Sequence, residues 1–330
     1  MKGWFTINST SKSPTWSIVL PTYRRPDVLR LCLERLQELH VESSDVEILV
    51  YDNGAPHDSR SVADSFAEKL PLKYCLNEAG HGLGYSLCRG AADAKGQYVV
   101  ELNDDALVPA DFLNRINSIF ASDPSIGVVG VRAIEKGYIT DDRPIGSIDS
   151  KTAEVAGNFN QETDGVIDVE HVYGFCYGYR RELLELRGGH DRTLLSRDFS
   201  SGSRIETDHC LTAKRLGYRV VYDGRIAVPH LAKPRPDIDE TSLRWKLDHW
   251  RNTLYLFLKH FGWFGRDAIA IRFALVDLGL ISFLRRPNKT NWLYLWAGIC
   301  ARTSAVWHWI KFLLTSHNLK AKHLNKASRV

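Results

Sequence analysis

The apolar run Tyr98-Val99-Val100-Glu101-Leu102 leads directly into Asn103-Asp104-Asp105, followed by Ala106-Leu107-Val108-Pro109. Such a run reads as a buried strand. A buried strand that ends in clustered carboxylates costs free energy unless something positive neutralises them. In an open α/β sheet the carboxyl end of a strand is also where ligands bind. A hard divalent cation, Mn2+ or Mg2+, meets both demands, because it takes one or two protein carboxylates and completes its shell with phosphate oxygens and water. An ordinary turn is the other use of Asn-Asp, so the rest of the chain has to decide.

The first half alternates strand and helix. Ser17-Ile18-Val19-Leu20 is a short apolar run stopped by Pro21, and Pro26 opens a helix with Leu29, Leu33, Leu36 and Leu39 on one face. Val46 to Tyr51 is a second buried strand closed by Asp52-Asn53-Gly54, a turn signal. A helix over Ser61 to Leu70 and a strand over Leu72 to Leu76 follow. Gly82-Leu83-Gly84 then precedes a helix from about Tyr85 to Lys95, and Gln97 to Leu102 is the fourth strand. Beyond Pro109 come a further helix and the strand Gly127 to Ala133. This alternation predicts a mainly parallel sheet covered by helices on both faces. Glu135 to Val169 is irregular and polar. Val172 to Tyr179 reads as strand, Arg181 to Leu186 and Thr207 to Leu216 as helix, and Tyr218 to Tyr222 as strand. The Ser-, Arg- and Gly-rich stretch Asp191 to Arg204 reads as a loop. A Pro-rich linker with Pro234 and Pro236 leads to helices at about Thr241 to His260, Gly265 to Leu284 and Asn291 to Leu314.

The six cysteines form no Cys-x-x-Cys pair, which argues against structural zinc and a disulfide scaffold and suits a reducing compartment. Met1 to Thr15 lacks the apolar core of a signal peptide. The formal net charge of +4 hides an asymmetry: Thr241 to Val330 carries 15 Lys+Arg against 3 Asp+Glu, the remainder 28 against 36. Seven of the nine tryptophans lie in that basic stretch. Tryptophan with Lys/Arg suits a segment at an anionic membrane surface, and a helical cap with a solvated basic face is the plainer reading. Trp292 to Leu314 carries Arg302, His308 and Lys311, which is costly in hydrocarbon, so no span is expected.

Several segments, in order, resemble the family-2 glycosyltransferases of GT-A fold, with features of their rhamnosyltransferase-like subset. Ser17 to Arg25 is similar to the family's first strand and nucleotide loop, and Val50 to Gly54 to its second strand. Asn77 to Gly90 resembles its glycine-punctuated loop entering a helix, and Asn103-Asp104-Asp105 its metal motif. Arg204 to Leu211, with Arg215-Leu216-Gly217-Tyr218 and Val228-Pro229-His230, resembles the acidic catalytic segment and the histidine after it. Gly174 to Gly178 and Gly188-Gly189-His190-Asp191 resemble the acceptor-side floor, and Arg251-Asn252 has a counterpart in the rhamnosyltransferase-like members.

The resemblance implies residue roles. Pro21, Thr22, Tyr23 and Arg24 would line the nucleotide site, with Arg24 reaching a phosphate. Asp52 would accept a hydrogen bond from a pyrimidine imide, an Asx turn being its other use. Asn77 and Gly84 would belong to the loop, and Asn103 and Asp104 would face the ribose or the metal's waters. Asp105 and His230 would ligate the metal. Asn103 stands where Asp is commoner and brings no charge. Glu206 would be the general base, with Asp208 a secondary acid; capping of the helix N-terminus is the structural use of both.

These readings predict three parts: an N-terminal arm over residues 1–16, a GT-A domain over 17–233, and a basic, Trp-rich helical region over 234–330. They predict an inverting, metal-dependent transferase moving a sugar from a nucleotide-diphosphate sugar to a glycan or lipid-linked acceptor. The setting would be cell-surface polysaccharide assembly at the cytoplasmic face of the membrane. A nucleotidyltransferase would instead place a Gly-rich phosphate loop after the first strand, where Pro21-Thr22-Tyr23-Arg24 stands. A basic nucleic-acid binder would use the C-terminal Trp and Lys/Arg, but the acidic first 240 residues oppose it.

Overall fold

A computed structural model describes residues 14–54, 59–78, 81–195, 204–233, 242–263 and 279–327. The apolar runs of the first hundred residues are β1 (Trp16–Thr22), β2 (Val46–Asp52), β3 (Leu72–Leu76) and β4 (Tyr98–Leu102). They lie parallel in the order β3-β2-β1-β4. Parallel neighbours need crossovers, supplied by α1 (Pro26–Gln37), α2 (Ser59–Phe66) and α3 (Leu83–Asp93). Side chains alternate between the faces. Thus Trp16, Ile18 and Leu20 enter one apolar cluster and Val19 the other. The first cluster is covered by Leu29, Leu33 and Leu36 of α1 and by Phe112, Ile116 and Phe120 of α4 (Phe112–Ser122). The second is covered by Leu87 and Ala91 of α3. A Cβ on Gly90 would stand 2.2 Å from Val19 Cγ1, so α3 approaches β1 more closely than any other residue permits.

β5 (Ile126–Ile134) is followed by the short hairpin β6 (Ile148–Asp149) and β7 (Glu154–Val155), then β8 (Val166–Asp168), β9 (Cys176–Arg180) and β10 (Arg219–Pro229). The full order is β3-β2-β1-β4-β9-β5-β10-β8. The expected mainly parallel sheet is present. β9 runs antiparallel between β4 and β5, and β8 antiparallel on β10. The reversal of β9 carries its entering residues to the carboxyl ends of β4 and β5, where Asn103 N–H donates to Phe175 O at 2.8 Å.

α5 (Glu182–Arg187) and α6 (Ile205–Arg215) follow, and α6 packs Cys210 and Ala213 into the second cluster. The C-terminal helices are α7 (Leu243–Phe261), α8 (Leu280–Arg285) and α9 (Lys289–Ala327). A third apolar cluster joins Leu194, Ile205 and Leu211 to Leu254–Leu258 of α7 and Ala305 of α9. The α/β part and the C-terminal helices therefore share a core. β1 begins at Trp16, whose ring lies 4.9 Å from that of Tyr98, one residue before the expected domain boundary. Most of the expected N-terminal arm, the Pro234/Pro236 linker, most of the Asp191 to Arg204 loop and the bulk of the Gly265 to Leu284 helix lie outside the described residues. Among the described residues no helix is long and apolar enough to cross a membrane.

Candidate active site

The carboxyl ends of the parallel strands meet at one edge. Thr22 is level with Asp52, and Asp52 with Leu76. Pro21 pairs with Tyr51 beyond the last β1–β4 pair at Val19 and Glu101, so its missing N–H breaks no bond to β4. Tyr23 is buried. Arg24 is exposed, has φ 50°, and lies 5.4 Å over the Tyr23 ring. Asp52 Oδ1 accepts from Gly54 N–H at 2.8 Å and Oδ2 from the Tyr74 hydroxyl at 2.6 Å. Its carboxylate thus closes the Asx turn. Asn77 is buried as well: Nδ2 donates to Asn53 Oδ1 and Ser86 Oγ, each at 2.9 Å, and Oδ1 accepts from Arg89. With buried Gly84 it fixes the entry to α3.

Of the acidic triplet, Asn103 is partly exposed and Asp104 and Asp105 are buried. Thr22 Oγ1 donates to Asp104 Oδ2 at 2.8 Å. The arginine that turns inward is Arg25, which pairs with both Asp104 and Asp105, the latter at 3.1 Å. Arg24, expected to reach a phosphate, stays at the surface. The left-handed backbone at Arg24 separates the two side chains.

His230 follows β10. Its N–H donates to Ile134 O at 2.9 Å, and it forms a bridge with Ala106. Its Nε2 lies 3.4 Å from Asp105 Oδ1 and its Nδ1 2.7 Å from Glu135 Oε2. Burial alone would lower the His230 pKa, but Asp105 and Glu135 outweigh it and raise it, so this pocket favours positive charge. Adjacent ligands of an octahedral Mg2+-type ion stand about 3 Å apart, close to the Asp105–His230 separation. A carboxylate on the far nitrogen is also the usual support of a metal-bound imidazole. Among the described residues no group of three or more His, Cys, Asp or Glu could hold a metal. A cation here would have Asp105 and His230 as its protein donors and would need phosphate and water to complete its shell.

Glu206 lies in the first turn of α6, after Arg204, which occupies the N-cap with φ 78°. Such a conformation in a non-glycine residue is strained and concentrates at functional sites. Glu206 is partly exposed, and burial against its neighbours raises its pKa, with Arg204 pulling the other way. A Cβ on Gly174 would stand 3.2 Å from Glu206 Cγ, so the base candidate lies against bare backbone.

Asp208 departs from expectation. It is 0% exposed. Its Oδ1 lies 2.7 Å from both Lys259 Nζ and His260 Nε2, and its Oδ2 2.8 Å from Arg187 Nη2. Desolvation pushes its carboxyl up, but Lys259, His260 and Arg187 outweigh that and hold it well below the usual range. Two residues along a helix turn about 200°, so α6 presents Glu206 to the cleft and Asp208 to α7. Asp208 is not a second acid of the cleft.

The two halves of the site meet through Tyr173-Gly174-Phe175. Gly174 faces Glu206, Phe175 O accepts from Asn103, and the rings of Tyr173 and Phe175 lie 5.7 and 4.9 Å from that of His230. Several residues here carry no signal of their own in the sequence. Arg25 is indistinguishable there from Arg24. Glu135 has no signal until β5 is seen beside β10. Glu101, bound by Tyr177, Tyr179 and His190, reads as part of an apolar run.

Residues 17–187 match the family described as Glycosyl transferase family 2. Among named relatives, the chain is 31% identical over 104 residues to the uncharacterised glycosyltransferase YibD of Escherichia coli (strain K12), spanning 31% of this chain and 29% of that one. It is 29% identical over 123 residues to the amylovoran biosynthesis glycosyltransferase AmsE of Erwinia amylovora, 36% of this chain and 46% of that one. The matches thus cover less than half the length of either relative. Among solved structures, the mannosyltransferase PcManGT of Pyrobaculum calidifontis, in complex with GDP-Man and Mn2+, superposes with a TM-score of 0.54 at 19% identity, covering 96% of this chain and 84% of that one. S. aureus TarS 1-349 in complex with UDP-GlcNAc gives 0.56 at 14% identity, covering 82% and 73%. These likenesses carry the fold, and the family match spans more than half of the chain: it belongs to glycosyl transferase family 2, with a GT-A fold.

Proposed function

We propose that the protein is an inverting, metal-dependent glycosyltransferase that moves a sugar from a nucleotide-diphosphate sugar to a hydroxyl of a glycan or lipid-linked acceptor in polysaccharide assembly. The observation that carries this reading is the Tyr173-Gly174-Phe175 segment, which meets Glu206 at Gly174, accepts from Asn103 at Phe175 O, and sets its two rings near His230. One side is suited to a cation and diphosphate, the other to proton removal.

Asp105 and His230 would hold Mn2+ or Mg2+, with Glu135 fixing the imidazole. The cation would stabilise charge on the departing diphosphate. Asp104, bound by Thr22 and Arg25, keeps the strand end rigid, and Asn103, the partly exposed member of the triplet, would meet the ribose. Asp52 acts on the base pocket by fixing the Gly54 N–H and the Tyr74 hydroxyl. Tyr23 and Arg24 line its open side. Glu206 takes the acceptor proton, and a single displacement on the face opposite the diphosphate inverts the anomeric centre. Burial raises the Glu206 pKa, which strengthens its carboxylate as a base.

A membrane-associated acceptor fits the C-terminal helices. Trp292, Leu293, Trp296 and Ile299 of α9 are exposed, beside exposed Arg285, Arg286 and Lys289. Interfacial tryptophan with basic residues favours reversible contact with anionic lipid.

The test is thermal protection by UDP, TDP and GDP and their sugars with and without Mn2+, followed by product analysis. Metal-dependent protection and release of nucleoside diphosphate with an inverted product support the reading. Nucleotide binding indifferent to metal, or a product of retained configuration, contradicts it.

A further inference from the structure

Helix α7 reaches the base-bearing helix from three directions. Lys259 Nζ lies 2.7 Å from both Asp191 Oδ2 and Asp208 Oδ1, and Tyr255 donates to Asp191 Oδ2 at 2.8 Å. Thr253 Oγ1 accepts from Nε of Arg204, the strained N-cap of α6, at 3.4 Å. Asn252 Nδ2 and Arg251 Nη2 donate to Leu194 O and Leu195 O at 2.8 and 2.9 Å. At the far end of α6, Arg215 Nη2 donates to His260 O at 2.5 Å. Asp191, Leu194 and Leu195, and the cap, first turn and last turn of α6, are thus each tied to α7.

The ties centred on Asp208 are buried and ionic. Asp208 is 0% exposed, and the side chains of Lys259 and His260 are 9% and 2% exposed. Buried charged groups of this kind are weak contributors to net stability compared with apolar residues of the same volume, and their best-attested use is to specify one arrangement. The arrangement specified here is the position of α6. Glu206 itself has Gly174 backbone on one side and Thr207 Oγ1 3.3 Å away, contacts that do not fix it along the helix axis.

Resting on the reading of Glu206 as the base, we infer that Lys259, through Asp208 and Asp191, together with Thr253 and Tyr255, are positioning residues for Glu206, so that the C-terminal helix α7 is a working part of the transferase. None of the three touches the reacting atoms. Lys259 and Thr253 act by holding α6 and its cap, and Tyr255 by fixing the Asp191 carboxylate that Lys259 also binds, so that the Glu206 carboxylate meets the acceptor hydroxyl; displacement of a catalytic group by 1 Å can cost about 10²-fold.

The experiment is a double-mutant cycle on the full chain, read by release of nucleoside diphosphate from whichever of the UDP-, TDP- or GDP-sugars the protein turns over, with water or added glycan as acceptor. Nucleotide Kd is measured by calorimetry alongside. Lys259→Met should lower turnover about 10- to 100-fold with nucleotide Kd unchanged, and Lys259→Arg should restore part of it. In a Glu206→Gln background the same substitution should have little further effect, because groups acting as one unit are non-additive. Thr253→Val and Tyr255→Phe, near-isosteric changes, should give smaller losses with the same dependence on Glu206 and carry the test if Lys259→Met does not fold. Equal losses in both backgrounds, a parallel fall in nucleotide affinity, or unchanged turnover in all three variants would overturn the inference. Full turnover in Glu206→Gln alone would overturn the base assignment first, and is seen before any α7 variant is made.

Discussion

Glu135 Oε2 lies 2.7 Å from Nδ1 of His230, and this contact turns the other ring nitrogen toward Asp105. A residue with no signature in the sequence thereby decides which nitrogen of a recognisable histidine faces the cleft. Asp105→Asn is expected to abolish the metal dependence of nucleotide binding. Glu135→Gln should weaken Mn2+ affinity by about 10- to 100-fold, the usual effect of losing a support behind a metal-bound imidazole. Asn103→Ala should be milder than either. Calorimetry with UDP, TDP and GDP at several Mn2+ concentrations checks all three, and full metal-dependent affinity in Asp105→Asn would sink the assignment.

Glu206 should show itself in two pH experiments. Its folded pKa is raised by burial. Since a base works only when ionised, turnover should fall on the acid side through a pH above the ordinary carboxylate value, and Glu206→Gln should reduce transfer by about 10² to 10⁴-fold with donor binding kept. The sign for stability is the reverse of the common carboxylate case. A raised pKa means the folded state prefers the protonated form, so this group's contribution is full below the unfolded pKa and is lost as pH rises through the folded one. Glu206→Gln should therefore melt higher than the parent at neutral pH, with the gap closing as pH falls toward 4.

Asp208 should behave oppositely. Its pKa is depressed by Lys259, His260 and Arg187 against the pull of desolvation. Its contribution is present above the unfolded value, about 4, and is lost as pH falls through the folded one. Breaking a buried network by removing one partner costs about 3 to 5 kcal/mol. Asp208→Asn should lose stability of that order in urea titrations at pH 7. A cost below about 1 kcal/mol would mean that the network is not formed in solution.

Much of this arrangement is legible in the amino-acid sequence. β1, β2 and β4 stand out as apolar runs because both their faces are buried, and the triplet after β4 stands out because acids at a buried strand end need a reason. The direction of β9 is not legible, since five residues carry no orientation. Nor is the choice between Arg24 and Arg25, which turns on one positive φ, or Glu135, which depends on β5 lying beside β10. The separation of Glu206 from Asp208 follows from helix geometry alone: residues two apart cannot both face one cleft. What covers Asp208 is decided by the fold.

Gly174 offers a narrower test of the cleft. An added methyl would meet Glu206 Cγ at 3.2 Å, close enough to shift the carboxylate by a few tenths of an ångström but not to disrupt a core. Gly174→Ala should reduce turnover on the order of 10-fold while leaving nucleotide affinity and melting temperature near the parent values. A loss confined to nucleotide affinity would show that Gly174 serves the donor side instead.

The exposed face of α9 makes the last prediction. Trp292 and Trp296 stack with centroids 6.1 Å apart and are about half exposed, at 50% and 54%, with Arg285, Arg286 and Lys289 exposed beside them. Basic residues near an anionic surface contribute about 1 kcal/mol each, and tryptophan favours the boundary between headgroup and hydrocarbon. The protein should cosediment with anionic vesicles and not with neutral ones, and the binding should fade between 0.1 and 1 M salt as the Debye length falls from about 10 to about 3 Å. Replacing Arg285, Arg286 and Lys289 together by Gln should weaken it by roughly 100-fold, corresponding to about 3 kcal/mol. Trp292→Ser with Trp296→Ser should shorten residence on the vesicle without removing the salt dependence. Equal binding to neutral and anionic vesicles would exclude an electrostatic dock, and the absence of any cosedimentation would leave these helices as a cap on the catalytic domain alone.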